Sequence, residues 1–206
     1  LAMVCPPTIP LWMVVLGAAV AIIVAKGLFG GIGSNVFNPA LTGRAVLFIS
    51  FPTAMGATWL APKTISAVDA ISSATVLSQI KADTFVVNSQ SLLDLFIGNK
   101  AGCIGETSIL LILISFIFLL VTKIIDWRAP IAMIFTVFIC TFIAGAISAS
   151  SLQVGFEKGL LSLLTGGVMF GATFMVTDYA TTPVTKPGRL IFGFGCGFIT
   201  FLIRQF

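Results

Sequence analysis

A few places in this chain carry residues that could do chemistry. The first is Asp69-Ala-Ile-Ser-Ser-Ala-Thr75, a run of hydroxyls with Ser66 and Ser78 close by. Taken alone, such a run caps a short helix, with Ser72 or Ser73 at the N-cap. The second is Arg44, a guanidinium inside an otherwise apolar stretch. It either pairs with a carbonyl or with an acid such as Glu106 or Asp178, or it orients a phosphate or steadies an anionic group. The third pair is Glu106 and Asp178, acids at the edges of apolar runs. Their plain role is capping; their functional role is a path for a coupling ion.

Composition limits what else the chain does. The 206 residues are 58% hydrophobic and 9% charged, with a mean hydropathy of +1.13. A soluble domain carries about 25% charged residues, so this is an integral membrane protein. The long apolar runs lack period-2 alternation, which favours helices over a barrel. The net charge of +4 is scattered and offers no basic run for nucleic acid. There is no histidine, which removes histidine-ligated haem and the usual zinc and copper sites. Cys5, Cys103, Cys140 and Cys196 form no C-x-x-C pair and read as structural thiols. Redox chemistry here needs an organic cofactor or a partner's metal.

The elements that must position these residues follow from the apolar runs. A Pro-rich lead-in, 1–10, precedes an apolar helix from Leu11 to about Ala25. It is not a signal peptide, having no basic n-region and early prolines. The glycine-rich turn 27–33 leads to Asn38-Pro39, an N-cap with proline at the first helical position. The helix it opens, reaching about Phe51, is roughly 20 Å long. That is short of a hydrocarbon core of about 30 Å, so it reads as a discontinuous or re-entrant element carrying Arg44. Residues 52–106 read as an extramembrane interval. Thr107 or Ser108 opens a spanning helix to about Val121, 123–130 is a loop, and Ile131 to about Ile147 spans again. Residues 148–158 read as a second loop. The segment 159–176 is apolar but broken by glycine and threonine, and a last helix begins near Pro187. Trp12, Trp59 and Trp127 read as interfacial belt residues.

Short-loop charge sets orientation. With alternating segments, Lys26, Lys123, Arg128, Lys186 and Arg189 share one side, and Lys158 alone opposes them. The loops 123–130 and 177–188 are then cytoplasmic, and the Thr75 interval lies on the outer face. A weak internal echo joins Gly30-Gly31 before Asn38-Pro39 to Gly166-Gly167 before Asp178 and Pro183, as in inverted-repeat folds with a central site.

Three stretches in order resemble one family. Gly30-Gly-Ile-Gly-Ser-Asn-Val-Phe-Asn-Pro-Ala-Leu-Thr-Gly-Arg-Ala45 is similar to the glycine-then-FNPA-x-x-x-RA segment of RnfD, a membrane subunit of the Rnf complex, and of its relative NqrB, from the sodium-pumping NADH:quinone reductase. Asp69-x-x-Ser-Ser-Ala-Thr75 resembles their D-x-x-[ST]-G-A-T flavinylation motif, with Ser73 where the motif has glycine. Gly166 to Pro183 resembles their G-A-x-F-M-x-T-D-Y-x-T-[ST]-P signature, and Gly102-Cys-Ile-Gly-Glu-Thr-Ser108 is closer to the Rnf form. The resemblance covers essentially the whole chain.

The resemblance implies a single transmembrane domain, 1–206, with a urea-transporter-like inverted repeat, from a longer protein with more helices before Leu1 and another span after Phe206. It implies FMN joined through its phosphate to Thr75 by a separate flavin transferase, because an unactivated threonine hydroxyl is a poor nucleophile. Ser72, Ser73 and Asp69 then belong to the attachment motif, and Arg44 to flavin or phosphate binding. The resemblance also allows a second, non-covalent flavin such as riboflavin. Partners implied are a flavinylated G-like subunit, iron–sulfur membrane subunits, the transferase, and Na+ or H+, in the bacterial or archaeal cytoplasmic membrane. Electron flow would link ferredoxin and NAD, or NADH and quinone in the relative, with those substrates on other subunits. The chain lacks a Rossmann glycine motif in its βαβ context. From the residues alone, a non-redox transporter or channel with discontinuous helices stays open.

Overall fold

A computed structural model of the chain describes residues 1–31, 33–56, 76, 80 and 89–205. Thr75, Ser72, Ser73 and Asp69, together with Trp59, lie outside the described residues. Among the described residues the fold is helical, without strands.

The first half is a tight helical hairpin. Helix α1 (Leu11–Ile22) continues into a π turn at Ile23–Gly27. Helix α2 (Pro39–Ser50) opens as the sequence predicts: the Asn38 side chain accepts from the Ala40 and Leu41 amides, and Pro39 sits where no amide partner is needed. The two helices touch through glycine. A β-carbon on Gly43 would lie 2.6 Å from the Gly17 carbonyl oxygen, and one on Gly17 would meet Leu47. Leu47 is fully buried and clusters with Cys5 and Met55. Met55 belongs to the short helix α3 (Pro52–Gly56).

The second half is organised around one long helix. Helix α4 (Ser89–Ile97) leads through a connector to α5 (Ile109–Val121). Then come α6 (Arg128–Ala149), α7 (Leu152–Leu164), α8 (Val168–Phe170) and α9 (Lys186–Gln205). Helix α8 continues into a π turn, Gly171–Met175. Small residues let α6 take a neighbour on each side. Gly155 of α7 fits against the Phe142 carbonyl and Ala146, while Gly193 and Gly197 of α9 fit against the Ala129 and Met133 carbonyls.

Helices α6 and α9 are long and apolar enough to cross a membrane, and α7 with the 168–175 segment makes a third candidate, bent by 62° at its break. Apolar side chains cover the outside: Leu11, Ile49, Val121, Ile147 and Ile203 are all more than two-thirds exposed. That outward apolar face is what a lipid environment selects. Trp12 and Trp127 are exposed as well.

Three sequence expectations change. The spanning helix expected from Thr107 is the 13-residue Ile109–Val121, about 20 Å long and short of the roughly 30 Å core. Ser108 caps its start through the Leu111 amide, and the Thr122 hydroxyl closes its end on the Phe118 and Leu119 carbonyls. The loop expected over 148–158 is a tight turn at Ser150 and Ser151, with Ser150 left-handed at φ 51°. Lys158 therefore sits within α7, and its stem touches the Gly145 position. The loop expected over 123–130 ends earlier, because α6 starts at Arg128 and Pro130 occupies its first turn, where a missing amide costs little.

Candidate functional site at a broken helix

The break between α7 and α8 leaves backbone groups without helical partners. The last carbonyls of α7 have no amide one turn on, and they form the negative end of its dipole. Two cations meet them. The Lys100 ammonium donates to the Leu164 carbonyl at 2.6 Å. The Arg204 guanidinium, from the far end of α9, donates to the Ser162 carbonyl at 2.7 Å and the Thr165 carbonyl at 3.1 Å. The Thr165 hydroxyl closes onto the Leu161 carbonyl at 2.6 Å.

The connector between α4 and α5 brings Lys100 there. Gly98 has φ 117°, and its missing β-carbon makes room for the Ser108 backbone, so the connector's two ends touch. Glu106 folds back over it. One carboxylate oxygen accepts from the Cys103 amide at 3.0 Å, and the other lies 2.9 Å from where a β-carbon on Gly167 would be. The Gly105 amide donates to the Met3 carbonyl at 2.7 Å, while Phe170 fills the space beside it. A single connector thus joins the N-terminal segment, the break and the head of α8. The Leu95, Ile109, Ile112, Leu161, Leu164 and Met169 cluster packs beneath it.

Electrostatics follow from this burial. Lys100 is 5% exposed. Burial pushes its ammonium down to about 8 from an ordinary 10.5; Glu106 opposes that shift and Arg204 adds to it. Burial, with the negative charge of Glu106, pushes the Cys103 thiol up to about 12, so it stays protonated and unreactive. Its sulfur donates to the Val4 carbonyl at 3.3 Å.

Arg44 is half-buried, and its guanidinium lies 4.0 Å from the Cys103 sulfur. Leu41, Ala45, Phe48 and Ile49 flank it in a shallow groove on the outer side of α2. Among the described residues, Arg44 forms no ion pair with Glu106 or Asp178; the ion pairs there belong to Asp126. Glu106 does not cap α5, a role taken by Ser108. Asp178 lies beyond the other end of the 168–175 segment and accepts from the Thr181 hydroxyl at 3.1 Å. The two acids are therefore not brought together.

A second polar cluster joins the α5–α6 connector to the start of α9. One oxygen of Asp126 accepts from Arg128 and from Arg189, each at 2.7 Å. Burial alone would raise the Asp126 carboxyl, but the bonds from the Arg128 amide and from both guanidiniums outweigh it, and the net shift is downward. The Tyr179 hydroxyl donates to the Ile124 carbonyl. A cavity of about 980 Å³ opens between these connectors.

Lys100, Arg204 and Asp126 did not stand out in the sequence. Arg204 carried a signal: a guanidinium in the last turn of an apolar helix must find acceptors or reach the interface. Lys100 carried little, sitting in Gly98-Asn-Lys-Ala-Gly102, which reads as an ordinary polar turn.

Comparisons with known proteins assign the chain to a family. The chain matches the model of the NQR2, RnfD, RnfE family over residues 1–206. It is 39% identical over 213 residues to the D subunit of the proton-translocating ferredoxin:NAD(+) oxidoreductase complex of Clostridium ljungdahlii, covering 99% of this chain and 62% of the relative. It is 39% identical over 203 residues to the D subunit of the Na(+)-translocating ferredoxin:NAD(+) oxidoreductase complex of Acetobacterium woodii, covering 98% and 59%. It is 37% identical over 207 residues to the B subunit of the Na(+)-translocating NADH-quinone reductase of Chromohalobacter salexigens, covering 98% and 49%. The chain thus spans 49% to 62% of the length of these relatives. With its whole length matched and its helical membrane architecture in place, the chain belongs to the NQR2, RnfD, RnfE family.

Proposed function

We propose that this chain is the membrane core of a D-type subunit in an ion-translocating ferredoxin:NAD oxidoreductase complex, and that it relays electrons through FMN carried on Thr75. The observation that carries the reading is the Asp69-x-x-Ser-Ser-Ala-Thr75 motif within a chain matched to the family along its full length. Two relatives named as D subunits of ferredoxin:NAD(+) oxidoreductase complexes support it.

FMN supplies one- and two-electron chemistry when bound. The chain's own part is to hold and surround it. Thr75 provides the attachment oxygen, and Asp69, Ser72 and Ser73 present it to the flavin transferase. Arg44, half-buried beside the groove of Leu41, Phe48 and Ile49, provides a cation next to an apolar face that suits a flavin ring or a phosphate. A second, non-covalent flavin such as riboflavin has a place in the same scheme. Ferredoxin and NAD bind other subunits of the complex, and the partners of this chain include a flavinylated G-like subunit and iron–sulfur membrane subunits.

Ion movement follows the broken segment. Glu106 stands at its Gly167 end and Asp178 beyond its Met175 end, so Na+ or H+ meets an acid at each end of the same stretch. The basic connectors with Lys123, Arg128, Lys186 and Arg189 face the cytoplasm. With Lys158 inside α7, the turn at Ser150 and Ser151 carries no base, which supports that orientation; the Thr75 interval is read as lying on the outer face.

The test is flavin fluorescence of the denatured full-length protein on a gel, from cells containing the transferase. Wild type fluoresces and Thr75→Ala does not. A dark wild-type band with an active transferase would remove the relay and leave a non-redox transporter.

A further inference from the structure

The ammonium of Lys100 occupies a position with the properties of a cation site. It lies against the Leu164 carbonyl at the end of a broken helix, with the Glu106 carboxylate acting on it. Broken helices place monovalent cations at such unwound carbonyls. Arg204 binds the adjoining Ser162 and Thr165 carbonyls, but a guanidinium does not give up its proton in a protein. A lysine amine does so readily when buried, and Lys100 is 5% exposed.

We propose that Lys100 is the proton-exchanging group of the helix break, and that its ammonium and the translocated cation take turns against the Leu164 carbonyl, within the field of Glu106. The proposal rests on the ion-translocating reading above and deepens it. The charges balance. With Lys100 protonated, Lys100, Arg204 and Glu106 together carry one positive charge. Loss of the proton to solvent leaves the cluster neutral, and entry of one Na+, or return of a proton to the amine, restores the charge. Among the described residues, the charged groups acting on Lys100 are Glu106, on its own connector, and Arg204, from α9; the α7 end beside it presents the Ser162, Leu164 and Thr165 carbonyls. Burial places the exchange near pH 8, within reach of the working range.

A rigid cap would need only a permanent positive charge, which separates the two roles. The experiment uses the complete complex in proteoliposomes, with wild type, Lys100→Arg and Lys100→Met, each checked for assembly and covalent flavin. Ions moved per electron are measured at pH values either side of 8, with 22Na+ and a pH-sensitive dye as probes. Wild type shows a transition near pH 8. Lys100→Arg assembles with its flavin, yet ions per electron fall about tenfold or more and the transition is lost, because arginine holds the site permanently. An Arg variant that pumps with the wild-type pH profile overturns the proposal and makes Lys100 a fixed cap. A wild-type profile that is flat across pH 8 overturns it without any variant. Failure of the relay reading would appear separately, as missing flavin on Thr75 in an otherwise ion-conducting protein.

Discussion

One carboxylate oxygen of Glu106 lies 2.9 Å from the point where a β-carbon on Gly167 would sit. The carboxylate reaches the head of the 168–175 segment because residue 167 has no side chain. The backbone there has φ −86°, open to any L-residue, and the obstructing atom is the end of a flexible chain. Gly167→Ala therefore folds, with a stability change of about 1 kcal/mol or less, but swings the carboxylate away from the break. Thermal unfolding of the purified complex and ion uptake by proteoliposomes read the two effects, and uptake falls more than stability does.

Gly197 contrasts with this. Its missing β-carbon would lie 2.7 Å from the Met133 carbonyl oxygen, a backbone atom that cannot step aside. Gly197→Ala pushes α9 off α6 and costs about 1–3 kcal/mol of overpacking. Denaturant titration in mixed micelles measures it, and a neutral result would mean that the α6–α9 contact is looser than described.

Leu47→Ala tests the other half. Leu47 is fully buried against Gly17, so truncation costs about 2–5 kcal/mol. The loss appears in the same titration, with the α6–α9 contact unaffected.

Asp126→Asn leaves Arg128 and Arg189 without their shared carboxylate. At 18% side-chain exposure, the loss is about 1–2 kcal/mol, between exposed and buried pair values. The folded carboxyl titrates below its ordinary 3.8. Its contribution is therefore fully present above that pH and disappears as pH falls through the lowered value. The difference between wild type and Asp126→Asn should shrink only in strong acid.

Lys100 gives the opposite sign. Its folded value of about 8 lies below the ordinary 10.5, so between the two the unfolded chain binds the extra proton. Stability from this group rises with pH through that window and is flat below it. Wild type gains thermal stability relative to Lys100→Met between pH 8 and 10.5, and a parallel pair of curves would mean that the amine is solvated.

Much of the fold was legible, for local reasons. Asn38-Pro39 announced α2 because capping acts within one turn, and Ser108 announced α5 in the same way. The π turns and the break at Thr165–Gly167 showed only as glycine and threonine in an apolar run. The turn at Ser150 was hidden because Gln153, Gly155, Glu157 and Lys158 read as loop. In the structure the two glycines at 155 and 159 are contacts for α6, while Gln153 and Glu157 hydrogen-bond one turn apart on an exposed face. The partnership of Lys100 with Leu164 and of Arg204 with Ser162 spans 64 and 42 residues, a separation that neither spacing nor periodicity reports.

The central claim is the flavin on Thr75, and peptide mass spectrometry of the full-length protein tests it most directly. After expression with an active flavin transferase, the peptide containing Asp69 to Thr75 should gain the mass of one FMN less one water, with fragmentation placing it on Thr75. An unmodified peptide recovered quantitatively from that same preparation would contradict the account.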